Sequence, residues 1–230
     1  IRRQRQMCIR DRLKAYRLFR DRNPDIKSHL ILWTDVRPSG SGMEGALGLG
    51  VADVGVNLIP EISELGLGDY VLWPDEKLIR EGIPDWAGPD FKGGWDMVKL
   101  YNAADVVISL SGEGFWLPGL EAQSCGTPVI CADYAAAPEI CGAGYTIPVR
   151  DYVILNTPGT RYPLCDLDRA AEALAKIANA DREKLARKAR RFAERYDWSI
   201  IMERYFKPFL EQCEVELKPL ITREGVKAWA

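Results

Sequence analysis

The sequence lacks several features that would decide its class at once. Its 230 residues include a single histidine, His29, and its six cysteines form no C-x-x-C pair. That cysteine usage is typical of buried thiols in a reducing compartment. No apolar run approaches the roughly 18–20 residues of a membrane span, and the charged start has no signal-peptide core. The 31 basic and 33 acidic residues give a net charge of −2, which provides no electrostatic case for nucleic-acid binding.

What is present is typical of a soluble globular protein. Hydrophobic residues make up 47% and charged residues 28% of the chain, with 20 glycines and 14 prolines. This composition excludes disorder, collagen and coiled coil, and the length suffices for a proper core. We therefore expect a cytoplasmic α/β protein.

The first twelve residues match no structural pattern. Their order resembles the translation of a transposase-based sequencing adapter joined in frame to a gene. We therefore expect residues 1–12 to be an artefact and the natural chain to be truncated at its front. Without their five arginines and one aspartate, the net charge would be −6. The alternative is a basic arm that contacts nucleic acid or a membrane.

From Leu13 onward, strand and helix patterns alternate. Short apolar runs predict five strands, at His29–Trp33, Tyr70–Trp73, Asp105–Leu110, Pro128–Cys131 and Tyr145–Val149. Helix starts are predicted at Asn57, Asp168, Asp181 and Ser199. Buried strands separated by helices predict an α/β fold with a Rossmann-like parallel sheet and helices on both faces. We assign residues 13–198 to this domain and residues 199–230 to a C-terminal helix, ending near Leu217, and a tail.

The chemistry concentrates in one stretch, SGEGFWLPGLEAQSCGTPVI, residues 111–130. It is predicted to be a loop at the carboxyl end of a strand, a helix with Pro118 in its first turn, and the next strand. Backbone N–H groups in the stretch 115–118, of which Pro118 has none, would then suit a diphosphate. Glu113 on the loop and Glu121 in the first helical turn would accept hydrogen bonds from sugar or ribose hydroxyls. The alternatives are a helix-stabilising charge for Glu121 and a solvated loop carboxylate for Glu113.

This stretch resembles the signature of family 4 retaining glycosyltransferases with the GT-B fold, also called glycosyl transferases group 1. The paired glutamates Glu113 and Glu121, eight residues apart, carry the resemblance. The blocks LYNAADV at residues 100–106, Pro138-Glu139 and RYDW at residues 195–198 add to it. It covers roughly residues 13–215 and implies the C-terminal half of a GT-B fold with its first strand missing.

The resemblance also implies roles for individual residues. Glu121 would bind the ribose of a nucleoside diphosphate, and Glu113, the expected catalytic residue, would contact hydroxyls of the donor sugar. The remaining donor-binding residues are expected to be Gly114, Phe115, Trp116 and Leu117, with backbone N–H groups holding sugar and phosphate. Glu139 is either another donor-side group or a helix-terminal charge. The donor would be a UDP- or GDP-sugar, and no metal or other cofactor is expected, since one histidine and no carboxylate cluster make a poor metal site.

Two departures from the family pattern have consequences. Trp116 replaces a usual glycine, and we expect its bulk to change the donor-side contacts. The family's first strand, its Arg/Lys loop for the diphosphate and its N-terminal acceptor domain have no counterpart in this sequence. We therefore expect residues 13–230 to be marginally folded and inactive alone.

Several alternatives remain open at this point. One is a sucrose- or trehalose-phosphate synthase or a glycogen synthase-like enzyme, and another is a non-catalytic sugar-nucleotide-binding module. The basic run in residues 181–195 is either a solvated helix face or a contact for an acceptor or for anionic lipid at the inner face of the membrane.

Overall fold

A computed structural model describes residues 2–33, 57–73, 97–112, 114–155 and 160–224. Its strands are β1 Leu30–Ile31, β2 Val71–Leu72, β3 Val107–Ser109, β4 Val129–Ala132, β5 Gly144–Ile147, β6 Val149–Leu155 and β7 Thr160–Cys165. Its helices up to the last strand are α1 Arg2–Arg22, α2 Ile59–Glu64, α3 Met97–Ala103, α4 Leu117–Ser124 and α5 Ala137–Ile140. Beyond it follow α6 Leu167–Ala178, α7 Arg182–Ala193, α8 Trp198–Ile201 and α9 Lys207–Glu224.

The five predicted strands are all present and all parallel to their neighbours. Strands β3, β4 and β5 pair side by side, with Val107 opposite Val129 and Val129 opposite Gly144. Strands β1 and β2 form a second parallel pair. Within the described residues, the two groups do not hydrogen-bond to each other.

Strand β4 shows how the sheet is covered. All four of its residues are buried. Ile130 and Ala132 belong to one hydrophobic core and Val129 and Cys131 to another. Since neighbouring side chains along a strand point to opposite faces, both faces carry packed layers. The predicted α/β class, with a parallel sheet between helices, is confirmed.

Different helices supply the two cores. Leu13 and Phe19 of α1 and Leu174 of α6 lie in the core that contains Ile130. Tyr101 of α3, Ala122 of α4 and Ile140 of α5 lie in the other. The helices that precede and follow β3 and β4 therefore share one face of the sheet, and that face carries the site described below.

Helix α1 begins well before Leu13. Ile9 packs against the core, and the Arg10 Nε lies 2.9 Å from the Glu61 Oε2 on α2. The adapter origin of residues 1–12 stays a prediction.

Aspartates begin three of the later helices, in part as predicted. The Asp181 side chain accepts from the Lys184 N–H at 3.0 Å, as expected. The prediction for α6 is wrong by two residues, since Asp166 is the cap and accepts from the Arg169 N–H at 3.1 Å. Asp168 lies inside the first turn and pairs with Arg22 of α1. The cap must have extended backbone, which Asp166 adopts with φ −69° and ψ 99°.

The last helical segment also differs from expectation. Asp197, rather than Ser199, is its cap and accepts from the Ser199 N–H at 2.9 Å. A π-helical stretch, Met202–Phe206, separates α8 from α9, and α9 continues past Leu217 to Glu224. In the described parts of the chain, no helix has both the length and the apolar character that crossing a bilayer requires.

An antiparallel hairpin, β6 with β7, is absent from the sequence-based prediction. Val153 pairs with Tyr162, and the register shifts between Val149 and Asp151. Charged residues Arg150 and Asp151 and the strand proline Pro163 interrupt the apolar alternation that would have indicated these strands.

Candidate functional site

The site lies where β3 and β4 end. Because carboxyl ends of neighbouring parallel strands meet at one edge of the sheet, the loop after Ser109 and the loop after Ala132 are neighbours. A Cβ on Gly112 would lie 2.7 Å from the Tyr134 Cε1 and 3.5 Å from the Pro163 Cδ. Only glycine fits this approach. The three segments, including the unpredicted hairpin, therefore meet beside the motif.

Glu113 is outside the described residues, so its predicted contact with the donor sugar stays a prediction. The residues on either side of Glu113 are described. Gly112 is fixed against Tyr134, and Gly114 and Phe115 are exposed, with Phe115 46% accessible. Ser109 and Ser111 share a buried hydrogen bond of 2.7 Å between their hydroxyls just before the loop.

Trp116 lies at the start of α4, and its side chain points into the core. It is the N-cap of α4 with left-handed backbone, φ 61° and ψ 56°, which explains why a glycine suits this position. Its indole is only 6% exposed and packs in the core with Ala122. A Cβ on Gly119 would clash with the ring. The effect of this side chain on the donor-side contacts stays a prediction.

Helix α4 carries Glu121. Pro118 is its second residue, as predicted, and the Gly119 N–H bonds to the Trp116 carbonyl at 3.0 Å. Glu121 is the fifth residue, so its predicted place in the first turn is wrong, and it lies beyond the strongest part of the helix dipole. Leu117 and Glu121 are four residues apart, lie on the same helix face and are both exposed. A ligand above this face would meet both.

The Glu121 carboxylate has a buried partner. The Tyr101 hydroxyl on α3 donates to its Oε2 at 2.9 Å. Burial, together with this hydrogen bond, raises the pKa of Tyr101 above its ordinary value of 10.0. The hydroxyl therefore stays protonated and remains a donor.

Gln123 ties α4 to the loop that follows α5. Its Nε2 donates to the Gly119 carbonyl at 2.9 Å and to the Ile140 carbonyl at 2.6 Å. Its Oε1 accepts from the N–H groups of Gly142 and Ala143 at 2.9 and 3.0 Å. The side chain is fully buried and uses all four hydrogen-bonding positions of its amide, two donors and two acceptor sites.

Glu139 lies in the first turn of α5 and is exposed. The Tyr196 hydroxyl donates to its carbonyl at 3.2 Å, and the Tyr196 ring meets Phe115 edge-on at 6.4 Å between centroids. Tyr196 therefore links the Phe115 loop to α5. Whether Glu139 binds the donor or serves as a helix-terminal charge stays open.

Sequence reasoning missed Tyr101 and Gln123 as parts of this site. Tyr101 lies inside the LYNAADV block that carried the resemblance, but nothing in its spacing indicates Glu121 as its partner. Gln123 follows Glu121 by two residues on a buried helix position, where an amide has no sequence signal of its own.

The basic run of residues 181–195 contains the whole of α7. Arg182 pairs with Asp105 at 2.9 Å, Arg187 with Glu183 at 3.2 Å and Arg190 with Glu194 at 3.2 Å. Such exposed pairs contribute little to stability. Both interpretations of the run, a solvated helix face and a contact for an acceptor or anionic lipid, stay open.

Within the described residues, no three His, Cys, Asp or Glu side chains are grouped in a way that suits a metal ion. The absence of a metal requirement stays a prediction. Taken together, the parallel sheet, the glycine-flanked loop and the exposed glutamate on the following helix define an α/β domain of the class in which ligands bind beyond the carboxyl ends of the strands.

Comparisons with known proteins narrow that class. Residues 75–159 match the family described as Glycosyl transferases group 1. A D-inositol 3-phosphate glycosyltransferase of Saccharomonospora viridis is 33% identical over 180 residues, 77% of this chain and 33% of that protein. An O-antigen chain mannosyltransferase B of Escherichia coli is 43% identical over 81 residues, 34% of this chain and 20% of that protein.

A solved structure of similar extent is the C-terminal domain of a glycosyl transferase group 1 family protein (LpcC) of Francisella tularensis. It has a TM-score of 0.47 and 18% identity, covering 89% of this chain and 82% of that one. The chain spans about a third of the length of the Saccharomonospora relative. The match to residues 75–159 and the sequence relatives support a relationship of this chain to the glycosyl transferases group 1 family.

Proposed function

We propose that this chain is the donor-binding part of a retaining glycosyltransferase and binds a UDP- or GDP-sugar. The observation that carries the proposal is the Glu121 carboxylate. It is exposed on the helix that follows β3, within the paired-glutamate motif, and a buried tyrosine holds one of its oxygens. An exposed, oriented carboxylate beside the start of a helix suits the hydroxyls of a nucleotide's ribose.

The start of α4 supplies the complementary chemistry. Its N-cap, Trp116, provides no side-chain hydrogen bond to the first turn. Backbone N–H groups at Gly114, Phe115 and Trp116 would therefore meet the diphosphate, since unsatisfied N–H groups at a helix start attract anions. Glu113 would accept hydrogen bonds from hydroxyls of the transferred sugar.

The transfer itself needs little from the protein. The acceptor oxygen bonds to the anomeric carbon while the bond from that carbon to the diphosphate oxygen breaks. The acceptor proton passes to the leaving diphosphate, so neither a strong protein base nor a metal is required. The new bond has the anomeric configuration of the old one.

Calorimetric titration of the 230-residue chain with UDP- and GDP-sugars tests the binding step. We expect one of them to bind, and Glu121→Ala to weaken that binding about tenfold or more, since a hydrogen bond to a charged group is lost. Excess chelator should leave the affinity unchanged. Binding that survives Glu121→Ala unaltered would contradict the donor-site assignment.

The stereochemical part has its own test. Where a donor is turned over, the anomeric configuration of the first-formed product is measured by NMR. We expect retention, and an inverted product would exclude the proposed course.

A further inference from the structure

Tyr101 contributes its hydroxyl to the site without itself being exposed. The residue is 6% accessible, whereas its partner Glu121 lies at the surface. The hydroxyl donates to one carboxylate oxygen, Oε2, at 2.9 Å. The carboxylate has further acceptor positions that this contact does not use.

Thr127 fixes the backbone of Tyr101 relative to α4. The buried Thr127 hydroxyl donates to the Tyr101 carbonyl at 2.6 Å, and the Thr127 N–H donates to the Ala122 carbonyl at 2.9 Å. Ala122 is the residue next to Glu121 on α4. Thr127 therefore joins the backbone of α3 to the backbone of α4 next to the direct bond between the Tyr101 hydroxyl and the Glu121 carboxylate.

A glutamate at a helix surface ordinarily samples several rotamers. Fixing one oxygen removes much of that freedom before a ligand arrives, so less entropy is lost on binding. Because burial and this hydrogen bond raise the pKa of the Tyr101 hydroxyl, the phenol remains a hydrogen-bond donor at neutral pH. The oriented carboxylate can then accept from a vicinal diol in one defined geometry.

Resting on the proposed function, we infer that Tyr101 is a positioning residue of the donor site. Its hydroxyl holds the Oε2 of Glu121, so that the carboxylate is aimed at the ribose hydroxyls of the bound nucleotide. The oriented carboxylate makes the site selective for a ribose over a sugar without those hydroxyls. Part of that selectivity then depends on Tyr101, which does not touch the ligand.

The test uses UDP and GDP as probes, each with its 2′,3′-dideoxy analogue, titrated calorimetrically into the 230-residue chain. Tyr101→Phe removes only the hydroxyl. We expect it to weaken binding of the ribonucleotide roughly five- to tenfold and to leave binding of the dideoxy analogue unchanged. In the Glu121→Ala background, adding Tyr101→Phe should have no further effect.

Tyr16→Phe is the matched control. Tyr16 is also buried, and its hydroxyl makes one side-chain hydrogen bond, to the Ser28 hydroxyl at 3.2 Å, on α1 in the other core. It should lower stability to a similar extent as Tyr101→Phe, as followed by urea unfolding, without changing nucleotide affinity.

The outcomes separate the two proposals. If Glu121→Ala weakens binding but Tyr101→Phe does not, the positioning role is wrong and the donor site stands. Equal weakening of ribonucleotide and dideoxy analogue by Tyr101→Phe would assign Tyr101 a packing role only, and likewise overturns the inference. If neither UDP nor GDP binds to the unaltered chain, the proposed function fails and the inference fails with it.

Discussion

Two groups of helices in this protein begin in different ways. Helices α6, α7 and α8 start with Asp166, Asp181 and Asp197, each accepting a backbone N–H from the first turn. Helices α4 and α5, which follow β3 and β4, start with Trp116 and Ala136, neither of which forms a side-chain cap. Within the described residues, the two non-glycine residues with left-handed backbone, Trp116 and Ala135, lie at these same starts.

The difference separates structural helix ends from candidate functional ones. An aspartate cap satisfies the helix start internally and closes it to other acceptors. The starts of α4 and α5 have no such cap, and the Gly119 and Glu139 N–H groups bond instead to the Trp116 and Ala136 carbonyls. Backbone strain in the same two loops follows the general tendency of strain to collect where a site is built.

The largest effect is expected at the strained start of α4. Trp116→Ala should destabilise the protein by about 3–5 kcal/mol, because a buried indole is lost. Trp116→Gly should cost roughly 1 kcal/mol less, since glycine accepts left-handed backbone. Urea unfolding of both variants checks that glycine destabilises the protein less than alanine does at this position. Trp198→Ala, at a 78% exposed position, is the near-neutral control. A larger loss for glycine than for alanine would mean that Trp116 is not strained.

The next effect concerns how α4 is joined to α5. Gln123→Ala leaves the Ile140 carbonyl and the N–H groups of Gly142 and Ala143 without their partner, and should destabilise by about 3 kcal/mol. Gln212→Ala is the matched control, an exposed amide bonded to Glu216, with an expected change within about 0.5 kcal/mol. Equal unfolding midpoints for the two variants would contradict the anchoring role.

The capped helices provide a third test. Asp166→Ala should cost about 1–2 kcal/mol and the exposed cap Asp181→Ala about 0.5–1 kcal/mol, because Asp166 also meets the Arg150 guanidinium at 2.7 Å. Burial raises the pKa of Asp166, but hydrogen bonds from Arg169 and Arg150 outweigh it, so the pKa lies below the usual 3.8.

The lowered pKa of Asp166 determines how its contribution to stability depends on pH. A lowered pKa in the folded state stabilises the protein above pH 3.8 and loses this effect as the pH falls through the folded-state value. The stability difference between the unaltered chain and Asp166→Ala, measured from pH 6 downward, should therefore narrow only below about pH 4. A constant difference down to pH 2 would exclude this linkage.

The smallest effect is expected at the start of α5. Ala135→Gly should stabilise by about 0.5–1 kcal/mol, since relief of the left-handed alanine exceeds the added chain entropy. Ala136→Gly, one residue on with φ −82°, should destabilise by a similar amount. Opposite shifts of the thermal unfolding midpoint would confirm that Ala135 is strained and Ala136 is not. Shifts of the same sign would contradict this.

The strands and one of the helix caps could be predicted from local sequence patterns. The five parallel strands were predicted because each is a short apolar run between helix signals, and Asp181 because an aspartate before an amphipathic stretch is a strong cap signal. Asp166 and Asp168 show the limit, since both fit a cap and only the backbone angles choose between them. The hairpin with Pro163 gave no usable alternation at all.

The sequence by itself therefore determined the order of strands and helices, the place of the motif after β3 and the candidate pair Glu113 and Glu121. Those features depend on residues that are near each other in the chain. The tertiary structure alone decided that Tyr101 bonds to Glu121, that Gln123 joins α4 to Gly142, and that the Trp116 indole packs inward. These contacts join residues on separate elements or depend on a backbone angle, and both are set by how the helices pack on the sheet rather than by spacing.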